Sequence, residues 1–183
     1  MVPDMKRFLF IIIACAAAHM ISSAQRPLDY DTIIDRGIYK SYFNTKYGTP
    51  SFVRYKLWRG GGKVKRTGLQ FRQTVSGPLF HYSRSGYDKG HMAPAADFAH
   101  TRKEMAVTFD YINALPQTPS LNRGEWKRDE ARVRRWSQTD SLLIECGGLE
   151  FDSVDHQVPT LCYKIVISLS RGDTLLNKRY LNK

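Results

Sequence analysis

Residues 51–58 (SFVRYKLW) alternate, with Val53, Tyr55 and Leu57 on one side and Arg54 and Lys56 on the other. A period of two in β-branched and aromatic residues predicts a half-buried strand. Gly60, Gly61 and Gly62 then end it in a turn or flexible loop. Two later runs, 141–146 (SLLIEC) and 161–169 (LCYKIVISL), are rich in strand formers and bounded by Gly, Pro and Asp, which predicts core strands. Helices are signalled twice. Thr101 and Glu104 have the spacing of a capping box and predict a short helix toward Thr108. Over 122–137 (NRGEWKRDEARVRRWS), Trp126, Asp129, Val133 and Trp136 fall in a narrow stripe at helical spacing. Strands before and after two helices predict an α+β fold rather than alternating βαβ units.

The chain has 183 residues, of which 42% are hydrophobic and 12% aromatic, enough to build a core, so disorder is excluded. Residues 1–24 read as a signal peptide: Lys6 and Arg7, an apolar run over 8–18, then Ser22, Ser23 and Ala24 before Gln25. The run is shorter than the ~20 residues of a spanning helix, so no stable membrane insertion is expected. A lipoprotein leader cleaved before Cys15 would leave only seven apolar residues after Arg7 and ranks well behind. The expected location is periplasmic or secreted after cleavage near Ala24. No repeat or linker divides 25–183, which predicts one domain. Its two cysteines, Cys146 and Cys162, lie in strand-like runs 16 residues apart. In an oxidising compartment they could bridge; two buried thiols on neighbouring strands fit as well. Without a CxxC pair or Cys/His cluster, a zinc site is not expected.

Charge narrows the partner. The 28 Lys+Arg exceed the 17 Asp+Glu by 11, and losing Lys6, Arg7 and Asp4 with the leader still leaves +10. A solvated basic face would account for that alone. Between Arg36 and Tyr87, however, there is no carboxylate, against eleven Lys and Arg, among them Lys63, Lys65 and Arg66. Aromatics such as Tyr55, Trp58, Phe71 and Tyr82 are threaded through them. Phosphates need the charge and bases stack on exposed rings, so nucleic acid leads the anionic partners.

Chemistry concentrates in 86–130. His91 follows Gly90 and enters a small-residue loop with Pro94, where a neutral imidazole could accept a proton. Taken alone it is a generic loop histidine, as are His81, His100 and His156. Asn122 stands where a helix begins, with Glu125 three positions on, so it could be an N-cap. Its carboxamide oxygen could equally be a hard ligand for Mg²⁺, and Glu130, eight residues on, could flank the same helix face. Spacing leaves both roles open.

Asp88-Lys89-Gly90-His91 with the following MAPAADF resembles the Asp-Arg-Gly-His signature of the DNA/RNA non-specific endonuclease family, of the ββα-metal (His-Me finger) class. Asn113, Pro116-Gln117, Leu121-Asn122-Arg123-Gly124-Glu125-Trp126 and Glu130 match its second pattern, and Val158-Pro159-Thr160 with Tyr163-Lys164 a later strand. The match runs from about 51 to 166. Asp35-Arg36-Gly37 is a decoy, with Ile38 where histidine is needed. Lys89 stands where the family has arginine, keeping the charge but not the planar fork. The sequence also ends about 20 residues after Lys164, where family members continue through further strand and helix.

The resemblance implies a central, mostly antiparallel sheet flanked by helices, in which a hairpin and helix bring His91 and Asn122 to one cleft. His91 would be the general base, Asn122 the direct protein ligand of one Mg²⁺ (Mn²⁺ able to substitute), and Glu130 the holder of a water of the ion. Lys89 and Arg66 would meet phosphate oxygens. Asn113 would lie beside the substrate and, with Gln117, orient the loop, while Asp88 would buttress the turn. The implied activity is a secreted, sequence-non-specific endonuclease that hydrolyses DNA and RNA to 5′-phosphate ends. The alternative is a non-catalytic basic nucleic-acid-binding protein on a decayed nuclease fold. The sequence assigns neither a protein inhibitor nor an oligomeric state.

Overall fold

The alternation over 51–58 is realised in a sheet with one face on the core, as the computed structural model of residues 29–154 and 156–183 describes it. The leader read in 1–24 lies outside the described residues. Three strands open the sheet: β1 (Thr32–Asp35), β2 (Lys40–Asn44) and β3 (Thr49–Leu57). Val53, Tyr55 and Leu57 are buried on the inner face of β3, while Lys56 faces solvent. The decoy Asp35-Arg36-Gly37 is the β1–β2 turn, closed by Gly37 N–H donating to Asp35. The middle of the chain holds four short strands: β4 (Gly61–Gly62), β5 (Asp88–His91), β6 (Phe98–Ala99) and β7 (Ala114–Gln117). It also holds helix α1 (Arg102–Thr108) and, after a wide π-type turn over Leu121–Glu125, helix α2 (Trp126–Trp136). The chain then returns to the sheet through β8 (Leu142–Phe151), β9 (Pro159–Ser168) and β10 (Thr174–Leu181). The sheet order is β1-β2-β3-β8-β9-β10, antiparallel at every pairing. The α+β expectation, with a central antiparallel sheet flanked by helices, holds.

Several boundaries differ from expectation for local reasons. β8 runs past Cys146 through Gly147 and Gly148, which read as a boundary in the sequence. Gly147 pairs with Phe52 on one side and Tyr163 on the other. A side chain there would meet Phe52 and the Ser51 carbonyl, so this central position needs glycine. The glycine run after β3 is not a free loop, since Gly61 and Gly62 pair in parallel with Phe98 and Ala99. Gly62, at φ 126°, would place a Cβ 2.0 Å from the Ala99 carbonyl oxygen. The capping box is realised: the Thr101 hydroxyl accepts the Glu104 N–H at 3.1 Å.

The expected continuous helix over 122–137 is broken. Gly124 takes φ −100° and ψ −107°, so only Trp126 onward is α-helical. Trp126, Asp129 and Val133 are then buried, as their stripe predicts. Between sheet and α2 lies the main core, centred on Tyr55, Met92, Ile112, Trp126, Ile144 and Val166. A smaller cluster of Ala95, Ala99, Met105 and Phe109 packs under Val64, Leu69 and Phe71. Cys146 and Cys162 are free and buried; Cys146 faces Lys164 across the ladder and Cys162 faces Gly148, so the register separates the two thiols. Among the described residues no helix is long and apolar enough to cross a membrane.

Candidate active site

β5 and β7 form a separate antiparallel pair, with Asp88 opposite Gln117 and His91 opposite Ala114. Gly90 is needed because Gln117 packs against it, and a Cβ there would come 2.2 Å from Gln117 Oε1. The pair leads into the wide turn and α2, so strand, strand and helix carry Asp88, Lys89, His91, Asn122 and Glu130 together. Trp126 closes the unit by donating from Nε1 to the His91 carbonyl at 3.3 Å.

His91 projects between two phenylalanines, its ring centre 4.7 Å from that of Phe71 and 4.9 Å from that of Phe109. Its Nε2 is buried without a hydrogen-bond partner. Burial first, and the positive charge of Arg66 second, push the imidazole down to about 3. The ring is therefore neutral at physiological pH, which a proton acceptor requires. Arg66 is itself exposed, in the loop after β4.

Asn113 is fully buried. Its oxygen accepts the Ala93 N–H at 2.8 Å, and its nitrogen donates to the carbonyls of Ala93 and Thr108 at 2.9 Å each. Its own carbonyl accepts the Met92 N–H. Every polar atom of this side chain is committed to holding the chain just after His91. That leaves no atom for the substrate contact expected of it, and orienting the loop is the role its geometry allows.

Asn122 is not a helix cap. Helix α2 begins four residues later, and the Asn122 Nδ2 donates to Asp88 Oδ2 at 3.0 Å. A carboxylate can only accept, so this bond fixes the amide orientation and turns Oδ1 away as a free acceptor. Arg123 binds the same carboxylate through two bonds of 2.8 and 2.7 Å. That guanidinium above all, helped by Asn122, holds the Asp88 carboxyl below the usual range. Asp88 thus buttresses more than its turn: it joins the histidine strand to the asparagine.

Glu130 is half-buried on α2. Burial raises its carboxyl to about 7; Lys164 and Arg134 oppose that shift and Asp97 adds to it. The break at Gly124 separates it from Asn122, so the continuous-helix geometry expected for the two does not apply. Lys89 extends from β5 among three rings, its nitrogen 5.7 Å from the centres of Phe71 and Tyr111 and 5.6 Å from that of Tyr82. Phe71 touches both His91 and Lys89, so the two lie on one side of β5. Beside them opens a pocket of about 650 Å³, lined in part by Gln73, His81, Tyr82, Asp88, Lys89 and Tyr111.

The acid-free stretch is not uniformly available. Arg36 pairs with Asp110, Lys40 with Asp35 and Arg54 with Glu145. Lys63, Lys65 and Arg66 remain exposed, and Arg66 is close enough to act on the imidazole. Arg123, Trp126 and Lys164 were not singled out as site residues by sequence. Their signal lay in the motif match, Arg123 and Trp126 within the second pattern and Lys164 beside Tyr163, and Lys164 falls on the buried face of β9 with Cys162 and Val166.

Among the described residues no cluster of three His, Cys, Asp or Glu could hold a metal. The donors at hand are the Asn122 amide oxygen and the Glu130 carboxylate. One hard oxygen with water completing the coordination suits Mg²⁺, which binds through few protein ligands and keeps its waters.

Known proteins resemble this chain along most of its length. The family model described as DNA/RNA non-specific endonuclease matches residues 20–182. A nuclease of Nostoc sp. is 36% identical over 115 residues, 58% of this chain and 42% of its own length. Mitochondrial endonuclease G of Homo sapiens is 33% identical over 152 residues, 70% of this chain and 50% of its own. A solved complex of EndoG with EndoGI, described in terms of EndoG inhibition, matches with a TM-score of 0.74 and 25% identity. That match covers 86% of this chain and 76% of the other. The chain spans half or less of the length of these curated relatives.

Proposed function

The chain belongs to the DNA/RNA non-specific endonuclease family, and from that premise we propose that it hydrolyses phosphodiester bonds of DNA and RNA without sequence preference, in a metal-dependent reaction that leaves 5′-phosphate ends. One observation carries the reading: Asp88 receives the Asn122 N–H and so leaves the amide oxygen open for a ligand, beside the strand that bears His91.

In this reading His91 takes the proton of the attacking water. Its Nε2 is enclosed, so Nδ1 is the nitrogen assigned to that task. Asn122 Oδ1 holds Mg²⁺, or Mn²⁺ in its place, with Glu130 hydrogen-bonded to a water of the ion. When bound, the ion supplies Lewis-acid stabilisation of the charge that builds on the phosphate and the leaving oxygen. Lys89, caged by rings and given no carboxylate, offers a point charge to a phosphate oxygen, and Arg66 a second one. Asn113 fixes the backbone that carries His91. The lysine lacks arginine's fork, so orientation of the phosphate falls more on Asn122 and Arg66. The leader read in residues 1–24 supports export, although several relatives are named as mitochondrial; N-terminal sequencing of exported protein should begin at Gln25. A protein inhibitor, as in the solved EndoG complex, is a partner class this reading admits.

Supercoiled plasmid incubated with the protein should become nicked and then linear in Mg²⁺, and stay intact in EDTA. Its new 5′ ends should accept label from a kinase only after phosphatase treatment. A folded protein that binds plasmid but leaves it intact with either metal would overturn the reading in favour of a binding protein.

A further inference from the structure

The pocket of about 650 Å³ beside Lys89 falls within the size class of small-molecule sites, about 300–1,000 Å³. Its wall is aromatic. Tyr82 and Tyr111 lie near parallel, at 28° with ring centres 5.9 Å apart, and Phe80 meets Tyr82 edge to face at 4.8 Å. Lys89 lines the same pocket with its nitrogen over both tyrosines. Asp88 lines it too, but Asn122 and Arg123 already occupy that carboxylate, so the ammonium of Lys89 is the charge left to a ligand. Gln73 adds a polar group. Its amide nitrogen donates to the carbonyls of Val75 and Gly77, and its side-chain oxygen is what remains to accept.

The wall is set by backbone bonds. Ser85 donates from both its N–H and its hydroxyl to the Tyr82 carbonyl, at 3.2 and 2.9 Å, and the Tyr87 N–H donates to the Ser85 hydroxyl at 3.1 Å. The Tyr111 N–H donates to the Arg72 carbonyl and the Arg72 N–H to the Phe109 carbonyl, which ties the second ring to the segment bearing Phe71. Both tyrosines are half-buried and both line the pocket, so each keeps surface open to it. A bare anion would leave these rings unused, and an apolar ligand would leave Lys89 and Gln73 unpaired. A nucleotide uses both: its phosphate meets the ammonium, and its flat base, with hydrogen-bonding edges, meets the rings and the amide.

We propose that this pocket receives one unpaired nucleobase of the bound strand, stacked against Tyr82, from a nucleotide adjoining the phosphate on Lys89. The identity of that phosphate rests on the nuclease reading; the aromatic wall does not. A base inside a duplex has both faces covered by its neighbours, so it reaches the wall only from a single strand or by leaving the stack, at a cost in unstacking and unpairing. Single-stranded DNA or RNA is therefore the substrate class the pocket favours over intact duplex. Stacking accepts any base, because each has a π-face, which agrees with cleavage that ignores sequence.

The test is binding in EDTA, where no strand is cut. A short fluorescein-labelled oligothymidylate is compared by anisotropy with a strand of the same length and charge whose sugars carry no base. Wild type should bind the base-bearing strand roughly 5- to 100-fold more tightly, the range for stacking one base on an aromatic side chain. Tyr82→Ala should lose most of that advantage and bind the baseless strand as wild type does. Trp58→Ala, at an exposed ring that does not line the pocket, should keep it. Should Tyr82→Ala not fold, Tyr82→Leu retains apolar bulk without the aromatic face and should lose the advantage too. Equal affinity of wild type for the two strands would overturn the proposal, as would an advantage that survives in the Tyr82 variants or disappears in Trp58→Ala. A protein that passes this test yet leaves plasmid intact in Mg²⁺ would count against the nuclease reading and leave the base site standing. One that cleaves plasmid but binds both strands equally would do the reverse.

Discussion

Asp88 and Asn122, 34 residues apart in sequence, are joined by a 3.0 Å bond from the asparagine nitrogen to the carboxylate. Arg123 keeps that carboxylate ionised, so it accepts over the whole physiological range and the amide cannot flip. An Asp88→Asn variant removes this constraint, since a second amide can pair with Asn122 in either orientation. The Mg²⁺ concentration for half-maximal cleavage should rise about 10- to 100-fold, the range for losing a group that orients a metal ligand. DNA affinity in EDTA should stay as it was. Unaltered Mg²⁺ dependence would mean that Asn122 does not hold the ion.

Asn113 carries a prediction about stability. Replacing it with alanine strands the Ala93 N–H and two carbonyls in a buried place. At about 1–3 kcal/mol for each orphaned group, a loss of about 3 kcal/mol or more is expected in denaturant unfolding. A loss below 1 kcal/mol would show that water replaces the amide, and the loop after His91 would then be less rigid than its bonding implies.

Much of this was legible along the chain, and what was not is long-range. Alternation revealed β3, because a one-sided strand writes its burial into every second residue, and a run of strand formers revealed β9. β8 was read short, because Gly147 marks a close approach to Phe52 where local reading takes glycine for a boundary. The helix over 122–137 was read through Gly124, since its apolar stripe begins only at Trp126 and does not register the break before it. The motifs drew attention to His91 and Asn122, but the Asp88 bond, which takes up the Asn122 amide nitrogen and leaves its oxygen open, was not legible. Phe71, Tyr82 and Tyr111 come from distant segments, and nothing in their spacing says that they converge on Lys89.

The exposed cations Lys63, Lys65 and Arg66 should make the phosphate contacts beside the cleft. DNA affinity then falls linearly in log–log form against salt, with a slope of roughly −0.9 per phosphate neutralised. Reversing the charge of all three should flatten that slope by roughly 3. Reversing Arg36 should cost stability through its pair with Asp110 and leave the slope nearly untouched. A slope that ignores the triple change would put the nucleic acid on another face.

The pH profile separates the two groups that titrate abnormally at the site. His91 is pushed down to about 3 by burial and Arg66, and Glu130 up to about 7 by burial. The working state needs neutral His91 and ionised Glu130, so activity should climb about tenfold per pH unit below about 7, and the climb belongs to Glu130. His91→Ala should lower turnover by roughly 10²–10⁴-fold yet keep that limb. Glu130→Gln should lower turnover and abolish the limb. Stability gives the opposite signs for the two groups. The folded His91 binds its proton more weakly than the unfolded chain, so its contribution is intact above the ordinary histidine value near 6.5 and is lost as pH falls toward 3. Folded Glu130 holds its proton more tightly, so ionising it costs stability as pH rises from 4.5 through about 7. Glu130→Gln should therefore stabilise the protein at pH 8, by on the order of 2 kcal/mol, and do nothing at pH 4. A limb that disappears in His91→Ala and survives in Glu130→Gln would assign it to the histidine, and the buried, neutral ring would have to be given up.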